Sequence, residues 1–258
     1  MYAELRQDAI AEEILTSGGM SVTDLAAHHG VSVETVRRDL VALENACRIS
    51  RVHGGAVPYR RSGGRSDTEN SVTEREQHSR GAKSRIAAAA AAELLPSTGS
   101  VIVDSGTTTA LLAEPILALP ELAVVTNSLV LAHNLSSADH RLLRTVGGRV
   151  RGVTQAVVGA DAVSDLSRLR ADVAFLGANG LTVEFGLSTP DPSEGQTKAA
   201  MVHSARTRVA LVDATKLGEE LLYSFARPAE VDILVTDAPA EHPVIRSLTS
   251  LGMDVIHA

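Results

Sequence analysis

A stretch near the N-terminus, from Ser21 to Val57, constrains the fold most, because its pattern predicts two short helices with a sharp turn between them. Ser21 precedes an apolar-periodic segment and has an acidic residue three positions on, which is typical of a helix N-cap. Gly30 interrupts the pattern, since glycine readily adopts the left-handed conformation that ends a helix. Ser32 caps the second helix. Helical spacing predicts that its apolar face contains Val33, Val36, Leu40 and Leu43.

Two helices joined by a short glycine-containing turn predict a helix-turn-helix, whose second helix enters the major groove of DNA. Arg37 and Arg38 fall on another face of that helix, where arginine can reach guanine edges or phosphates. Asp39 is expected to orient an arginine, because it would repel phosphate if it faced the DNA backbone. The candidate DNA-binding residues of this helix are Ser32, Thr35, Arg37 and Arg38.

The residues after the second helix alternate like a strand, turn at a glycine pair and can return as a second strand. This pattern predicts the wing of a winged helix, and it places Arg51 and His53 near the DNA backbone. Short helix pairs with adjacent arginines also occur in all-α domains. The pattern alone therefore leaves DNA binding and a plain helical domain equally open.

The charges are unevenly distributed along the chain. The 258 residues carry 24 basic and 31 acidic side chains, and a net charge of −7 argues against a protein whose whole surface binds nucleic acid. Residues 37–65 nevertheless contain seven arginines against Asp39 and Glu44, a local charge of +5. A basic DNA-reading segment attached to an acidic body is typical of a regulator.

The sequence lacks several other kinds of signal. Its one cysteine, Cys47, excludes an intrachain disulfide and a cysteine-rich metal site. The start of the chain lacks the pattern of a signal peptide, and no apolar stretch reaches about 18 residues. We therefore expect a cytoplasmic protein with no membrane partner, no metal and no cofactor.

Residues 58–80 are rich in glycine, serine and charge, which predicts a linker between one domain of residues 1–57 and another of residues 81–258. Beyond it, helices alternate with short apolar strands, so the predicted fold class is α/β with a mainly parallel sheet covered on both faces. The predicted strands cover residues 100–104, 122–126, 142–146, 173–177, 208–213, 231–236 and 253–256. The predicted helices cover residues 84–95, 129–135, 161–169, 197–205 and 244–251, and a further helix ends near 119.

Polar residues follow several of these strands. Ligands of open α/β sheets bind beyond the carboxyl ends of the strands, so we expect these residues to share one pocket. The loop of residues 104–109 offers amides, hydroxyls and a helix dipole to an anion, and Gly106 permits close approach. A plain helix cap is the alternative interpretation of this loop, and a solvated charge is the alternative for a single lysine. The candidate ligand-binding residues are Asp104, Ser105, Gly106, Thr107, Thr108, Thr126, Asn127, Gly148, Asn179, Glu194, Lys198 and Lys216.

Motifs along nearly the whole chain, roughly residues 5–257, resemble the DeoR family of bacterial transcription regulators. In the first domain these are Arg6-x3-Ile10-x3-Ile14, Ser32-x2-Thr35-Val36-Arg37-Arg38-Asp39-Leu40 and Arg51-Val52-His53-Gly54-Gly55-Ala56. In the second they are Asp104-x-Gly106-Thr107-Thr108, Thr126-Asn127, Gly147-Gly148, Gly177-x-Asn179-Gly180, Thr189-x-Asp191-x2-Glu194-x3-Lys198 and Asp213-x2-Lys216. The resemblance implies a second domain related to ribose-5-phosphate isomerase and glucosamine-6-phosphate deaminase, with a phosphorylated sugar or similar metabolite as effector. It also implies a repressor of a sugar-catabolic operon.

One departure from the related deaminases argues against catalysis. They carry Asp-Gly-His where this chain has Asn179-Gly180-Leu181, and asparagine cannot act as a general base. Asp104, Glu184 and Asp191 could still do acid–base work, so a sugar-phosphate isomerase or deaminase remains one alternative. A DNA-binding protein indifferent to metabolites is the other. A homo-oligomer is expected in any regulator of this kind, since one winged helix reads few base pairs.

Overall fold

The computed structural model describes residues 3–17, 19–45, 48–52, 54–58, 75, 79–137, 139 and 142–258. The predicted DNA-binding residue His53 and almost all of the predicted linker lie outside these residues. The chain divides into two compact units, residues 1–65 and residues 66–258, and each is described by itself.

The N-terminal unit packs three helices beside a small antiparallel sheet of strand order β1-β3-β2. Its elements are α1 (Ala3–Ser17), β1 (Met20–Ser21), α2 (Val22–His29), α3 (Val33–Asn45), β2 (Ile49–Val52) and β3 (Gly55–Pro58). Gly30 ends α2 with φ of 62°, so the predicted left-handed turn is present. The core contains Ile10, Ile14, Leu25, Val36, Leu40, Leu43 and Ile49. The prediction that Val33 shares this face is wrong, because Val33 is the first residue of α3 and is exposed.

A buried carboxylate joins α3 to α1. Asp39 accepts hydrogen bonds from Arg6 Nε at 2.6 Å, Arg6 Nη2 at 3.2 Å and Gln7 Nε2 at 3.0 Å. Burial works to raise the pKa of Asp39, but these hydrogen bonds and the charge of Arg6 hold that pKa below its ordinary value. The arginine that Asp39 orients is therefore Arg6 in the first helix, and Arg37 and Arg38 stay on the exposed face of α3.

The C-terminal unit is built on a seven-stranded parallel sheet of order β15-β14-β12-β9-β4-β5-β6. Its strands are β4 (Gly99–Val103), β5 (Leu122–Thr126), β6 (Leu142–Thr145), β7 (Arg149–Arg151), β8 (Ala156–Val158), β9 (Ala171–Gly177), β10 (Gly180–Thr182), β11 (Gly186–Thr189), β12 (Ala205–Leu211), β13 (Tyr223–Ala226), β14 (Ile233–Thr236) and β15 (Asp254–His257). Its helices are α4 (Arg80–Leu94), α5 (Ala113–Leu117), α6 (Leu129–Leu135), α7 (Ala160–Ser167), α8 (Pro192–His203) and α9 (Pro243–Ser250).

Both faces of the seven-stranded sheet are buried, as the apolar strands predict. Alternate residues of a strand point to opposite faces. In β4, Val101 and Val103 join one apolar cluster and Ile102 joins the other. In β9, Phe175 belongs to the first cluster and Leu176 to the second. The predicted fold class, an α/β chain with a winged helix-turn-helix and a mainly parallel sheet, is confirmed.

Several elements differ from the prediction. The antiparallel hairpin of β7 and β8 and the small sheet of order β10-β11-β13 were not predicted. The helix predicted over residues 197–205 is α8, which begins five residues earlier, where Asp191 caps it and Pro192 starts it. The single helix predicted after residue 109 is a 3₁₀-helix, Thr109–Leu112, followed by α5.

The Asp39 contacts predict an acid-sensitive contribution to the stability of the N-terminal unit. Its pKa is lower in the folded chain, so the carboxylate stabilises the fold above its unfolded pKa, about 3.9. That stabilisation is lost as the pH falls through the folded value. The melting temperature of Asp39→Asn should therefore lie below that of wild type at pH 7, and the difference between the two should shrink below about pH 4. Calorimetry of the full chain at pH 7 and below about pH 4 checks this prediction. Equal melting temperatures of the two proteins at pH 7 would contradict it.

Candidate functional site

The exposed end of α3 gathers most of the predicted DNA-binding residues. Ser32 caps the helix, because its Oγ accepts a hydrogen bond from the Thr35 amide at 3.1 Å and lies 2.9 Å from Thr35 Oγ1. Arg37 and Arg38 are largely exposed, and the Glu34 carboxylate is 3.8 Å from each guanidinium. Ion pairs this long and exposed contribute little to stability. Both arginines are therefore available to DNA at little cost.

The strand beside α3 carries the next candidate. Arg51 lies on β2, its guanidinium is 3.7 Å from the Glu44 carboxylate, and its amide donates a hydrogen bond to Glu44 Oε1 at 3.1 Å. The hydrogen bond from the Arg51 amide ties β2 to Glu44 at the end of α3, while the Arg51 side chain remains exposed. Of the five described candidates, Arg37 of α3 and Arg51 of the wing line one groove.

In the C-terminal unit, the strand order reverses between β4 and β9, which are neighbours in the sheet. Asp104 follows β4, and its Oδ2 accepts a hydrogen bond from the Gly177 amide at the end of β9 at 3.0 Å. Lys198 of α8 forms an ion pair with the same carboxylate and donates to the Gly177 carbonyl at 3.0 Å. Lys198 is 4% exposed and Asp104 is 0% exposed. The Lys198 Nζ also lies 5.5 Å from the centre of the Phe225 ring.

This arrangement changes the expected role of Lys198. The sequence predicts a positive charge that is available to a ligand, but in the structure Lys198 has a buried carboxylate partner and a carbonyl acceptor. An ammonium group has three donors, so one remains for a ligand. A phosphate would meet a neutralised pair at this point, not a bare cation.

The loop that follows Asp104 is held by one hydroxyl. Thr109 Oγ1 lies 2.7 Å from the Asp104 carbonyl oxygen and 2.9 Å from the Gly106 carbonyl oxygen, and it accepts a hydrogen bond from the Gly106 amide at 2.9 Å. A Cβ at Gly106 would stand 2.9 Å from that hydroxyl, which explains the glycine. The side-chain hydroxyls of Thr107 and Thr108 make no hydrogen bond among the described residues, and their amides have no acceptor there. These groups are the ones the loop offers to an anion.

Two candidates after β5 have structural contacts. Thr126 Oγ1 donates to the Val103 carbonyl at 2.6 Å and accepts from the Ser128 amide at 2.9 Å, so it ties β5 to β4. Asn127 Nδ2 donates to the Val157 carbonyl at 3.3 Å. Asn127 Oδ1 is buried and has no hydrogen-bond partner in the described part of the chain. An unpartnered buried oxygen is costly, so Asn127 is the candidate most in need of a further donor.

The hairpin of β7 and β8 is attached to the start of α8. Arg151 Nε is 3.1 Å from Asp191 Oδ2, and Arg151 Nη1 donates to Glu194 Oε1 at 3.2 Å. Thr154 Oγ1 also contacts Glu194 Oε1. Gly148 precedes the hairpin with φ of 137°, and a Cβ there would be 2.7 Å from the Val158 carbonyl oxygen. Glu194 and Gly148 therefore shape the wall of the site, and Glu194 is occupied within the protein.

The remaining candidates lie at the same carboxyl edge. Ser105 Oγ is 3.5 Å from Asp104 Oδ1, and the Asn179 amide donates to the Ser188 carbonyl at 3.0 Å. Lys216 is half-buried after β12 and has no ion pair with any described residue. Arg151 and Thr154 were not predicted from the sequence, whereas Thr109 belongs to the predicted loop of residues 104–109. Glu194, the partner of Arg151 and Thr154, is 43 and 40 residues away from them, so no local pattern marks them.

Comparison with known proteins decides the family. Residues 6–61 match the DeoR-like helix-turn-helix domain, and residues 78–238 match the DeoR C terminal sensor domain. The chain belongs to the DeoR family. It is 37% identical over 252 residues to the HTH-type transcriptional regulator GlpR of Haloferax volcanii, covering 97% of this chain and 96% of that one. It is 30% identical to the glycerol-3-phosphate regulon repressor of Escherichia coli, covering 95% and 94%.

Two solved ribose-5-phosphate isomerases resemble the chain distantly. Ribose-5-phosphate isomerase from Plasmodium falciparum shares 13% identity with a TM-score of 0.39, over 53% of this chain and 52% of that one. The enzyme from Methanocaldococcus jannaschii shares 18% identity with the same TM-score, over 54% and 55%. A likeness this low carries no argument about the site.

The relatives are named as transcriptional regulators or repressors, so the DeoR-family chain is a regulator and the prediction that it is not an enzyme is confirmed. Among the described residues, no cluster of three or more histidine, cysteine, aspartate or glutamate side chains could hold a metal ion. No helix in the described part of the chain has the length and apolar character that crossing a membrane requires.

The buried ion pair predicts a large stability effect when one partner is lost. Lys198→Met should lower the free energy of unfolding by about 3–5 kcal/mol, because it leaves the Asp104 carboxylate buried without a counter-charge. Asp104→Asn in the same chain should restore most of that loss, since the pair is then neutral. Urea unfolding of wild type, both single variants and the double variant gives the coupling energy. A loss below about 1 kcal/mol in Lys198→Met would show that the pair is not needed.

Proposed function

We propose that this DeoR-family regulator represses a carbohydrate-catabolic operon and that a phosphorylated sugar or related metabolite changes its affinity for the operator. The observation that carries the effector part is the loop after β4, where the unpartnered hydroxyls and amides of Thr107 and Thr108 lie at the reversal of strand order. The protein would act in the cytoplasm, where it meets both the operator and the metabolite.

The DNA side of the proposal is supported by the exposed end of α3. Arg37 and Arg38 can donate to guanine or phosphate, and Arg51 on the wing can reach the backbone. Ser32 and Thr35 stand at the N-terminus of α3, where hydroxyls and amides suit a phosphate. Because one such unit contacts few base pairs, we further propose that two or more chains bind repeated half-sites together.

The effector side is supported by the chemistry of the carboxyl edge. Thr107 and Thr108 offer donors for a phosphate, and Lys216 adds a positive charge without an ion pair in the described residues. Asn127 Oδ1 lacks a donor, which a sugar hydroxyl would supply. One relative is named a glycerol-3-phosphate regulon repressor, so a small phosphorylated polyol is the first effector to test.

The ion pair of Asp104 and Lys198 can couple effector binding to a change in the position of α8. A ligand shifts the equilibrium between two arrangements of a protein only as far as it binds one of them more tightly than the other. A phosphate at Thr107 and Thr108 would sit next to Asp104, and the two negative charges would repel each other. That repulsion favours an arrangement in which Lys198 turns part of its charge toward the phosphate. The position of α8 would then depend on the ligand.

Arginine substitutions test the DNA side. After selection of an operator from random duplex DNA, Arg37→Ala or Arg38→Ala should weaken binding by about 1–3 kcal/mol each, through lost base or phosphate contacts. Arg51→Ala should weaken binding to all DNA sequences evenly, and it should reduce the slope of log affinity against log salt concentration by about one. The matched control is Arg206→Ala, which removes an exposed arginine with a 3.8 Å ion pair in the other unit. Unchanged operator affinity in a folded Arg37→Ala/Arg38→Ala variant would rule out this docking.

Hydroxyl removal tests the effector side without disturbing the fold. Thr107→Val/Thr108→Val keeps the shape and removes two hydroxyls that have no partner in the described chain. If each donates to phosphate, each lost charge-assisted hydrogen bond, worth about 1.5–3 kcal/mol, lowers effector affinity roughly ten- to hundred-fold, so the double variant should lose at least about hundred-fold. Operator binding is titrated with glycerol 3-phosphate, pentose phosphates, hexose phosphates and their unphosphorylated parents.

Two controls belong to that titration. Thr249→Val changes an exposed threonine on α9, a helix that runs back to the amino edge of the sheet, and it should respond to effector like wild type. Thr109→Val removes the hydroxyl that holds the loop and should lower stability as well as affinity. If Thr107→Val/Thr108→Val responds at wild-type concentrations, the phosphate binds elsewhere. If no phosphate ester alters operator binding, the protein is the metabolite-indifferent DNA binder.

A further inference from the structure

A groove lined by valines and two arginines lies between α3 and the wing. It has a volume of about 470 Å³, and it is lined by Val33, Arg37 and Val41 of α3 and by Arg51 and Val52 of β2, among others. Val33, Val41 and Val52 are 36%, 40% and 51% exposed. Three partly exposed valines in one groove leave apolar side chains open to contact by a partner that also suits the two arginines.

The α3 side of the groove has a regular order. Val33, Arg37 and Val41 are four residues apart, so they form one row along the helix with the arginine in the middle. Successive members are about 6 Å apart along the axis, which is close to two base-pair steps of a duplex. The row therefore offers one base-reading arginine with an apolar side chain on either side.

We propose that this groove binds the major-groove edge of a duplex in which thymines flank the guanine read by Arg37, and that their 5-methyl groups contact Val33 and Val41. Thymine is the base that presents a methyl group in the major groove, and aliphatic side chains recognise it by apolar contact. The inference rests on the DNA-binding part of the proposed function and names the base class that this surface selects.

Charge favours DNA over a protein partner as the occupant. Arg37 and Arg51 stand on opposite sides of the groove, and no acidic residue lines it within the described part of the chain. Phosphates on both strands can pair with such edges while the base edges face the valines between them. A protein surface would have to bring matching acidic groups to both edges and an apolar patch to the centre.

The test uses the full chain and synthetic duplexes. Selection from a random duplex library gives the preferred site, and selection with Arg37→Ala identifies the guanine as the position where preference relaxes. Each thymine within two base pairs of that guanine is then replaced by deoxyuridine, which lacks only the 5-methyl group. Loss of one methyl contact should weaken wild-type binding roughly three- to five-fold.

Substitution of the valines links the effect to the groove. Val33→Ala or Val41→Ala should bind the thymine duplex more weakly and lose the difference between thymine and deoxyuridine at one position. Both side chains are exposed on a helix, so alanine should not unfold the unit. Leu251→Ala, which changes an exposed residue of the other unit, should keep the full difference.

The outcomes separate this inference from the proposed function. If the protein selects no DNA sequence, the proposed function fails. If it selects a site and every thymine-to-deoxyuridine exchange changes affinity less than 1.5-fold (roughly 0.2 kcal/mol), only this inference fails. It also fails if the selected site has no thymine beside the guanine. If Val33→Ala instead weakens self-association of the DNA-free protein and leaves the deoxyuridine penalty intact, the groove holds a second copy and the inference is wrong.

Discussion

The buried ion pair of Asp104 and Lys198 is the contact on which the C-terminal unit depends. It joins the end of β4, the end of β9 and the middle of α8 at the place where the strand order reverses. Burying two charges costs about as much as their attraction returns, so such a pair fixes position more than it adds stability. Its position sets the floor of the site. Its neutrality also means that an anion in the proposed site would be attracted by the hydroxyls and amides of Thr107 and Thr108, and not by a bare lysine charge.

The helix that carries Lys198, α8, also holds the hairpin of β7 and β8 through Glu194. Glu194 in the first turn of α8 binds Arg151 and Thr154 of the hairpin, and Lys198 stands one turn later. Residues four apart share one helix face, so the hairpin and the two central strands are attached to adjacent points of α8. A ligand that draws Lys198 away from Asp104 would act on a helix whose other contact is the hairpin. The wall and the floor of the site are thereby linked through one element.

The sequence predicts the parts of this fold whose signals are local. All seven strands of the parallel sheet were predicted. The central strands are buried on both faces and contain continuous apolar runs, whereas the edge strands β6 and β15 are short, partly apolar stretches that each follow a helix. The rule that ligands bind beyond strand ends then brought Asp104, Asn127 and Asn179 to one edge. The hairpin and the β10-β11-β13 sheet were not predicted, since their strands have only three or four residues, and β13 pairs with a strand that is distant in sequence. For the same reason residue types predicted a polar pocket but could not tell that Glu194 and Lys198 have partners within the protein.

The N-terminal unit separates its charges by burial. On α3, the buried Asp39 is paired with Arg6 through short hydrogen bonds, and exchanging that partner for DNA would leave a carboxylate uncompensated in the core. The exposed Glu34 lies 3.8 Å from Arg37 and Arg38, where water screens the attraction. Phosphate can therefore replace Glu34 as the partner of these arginines without disturbing the fold. Two acidic residues five positions apart thus have opposite consequences. Asp39 holds α3 against α1, whereas Glu34 leaves the exposed arginines of α3 open to another anionic partner.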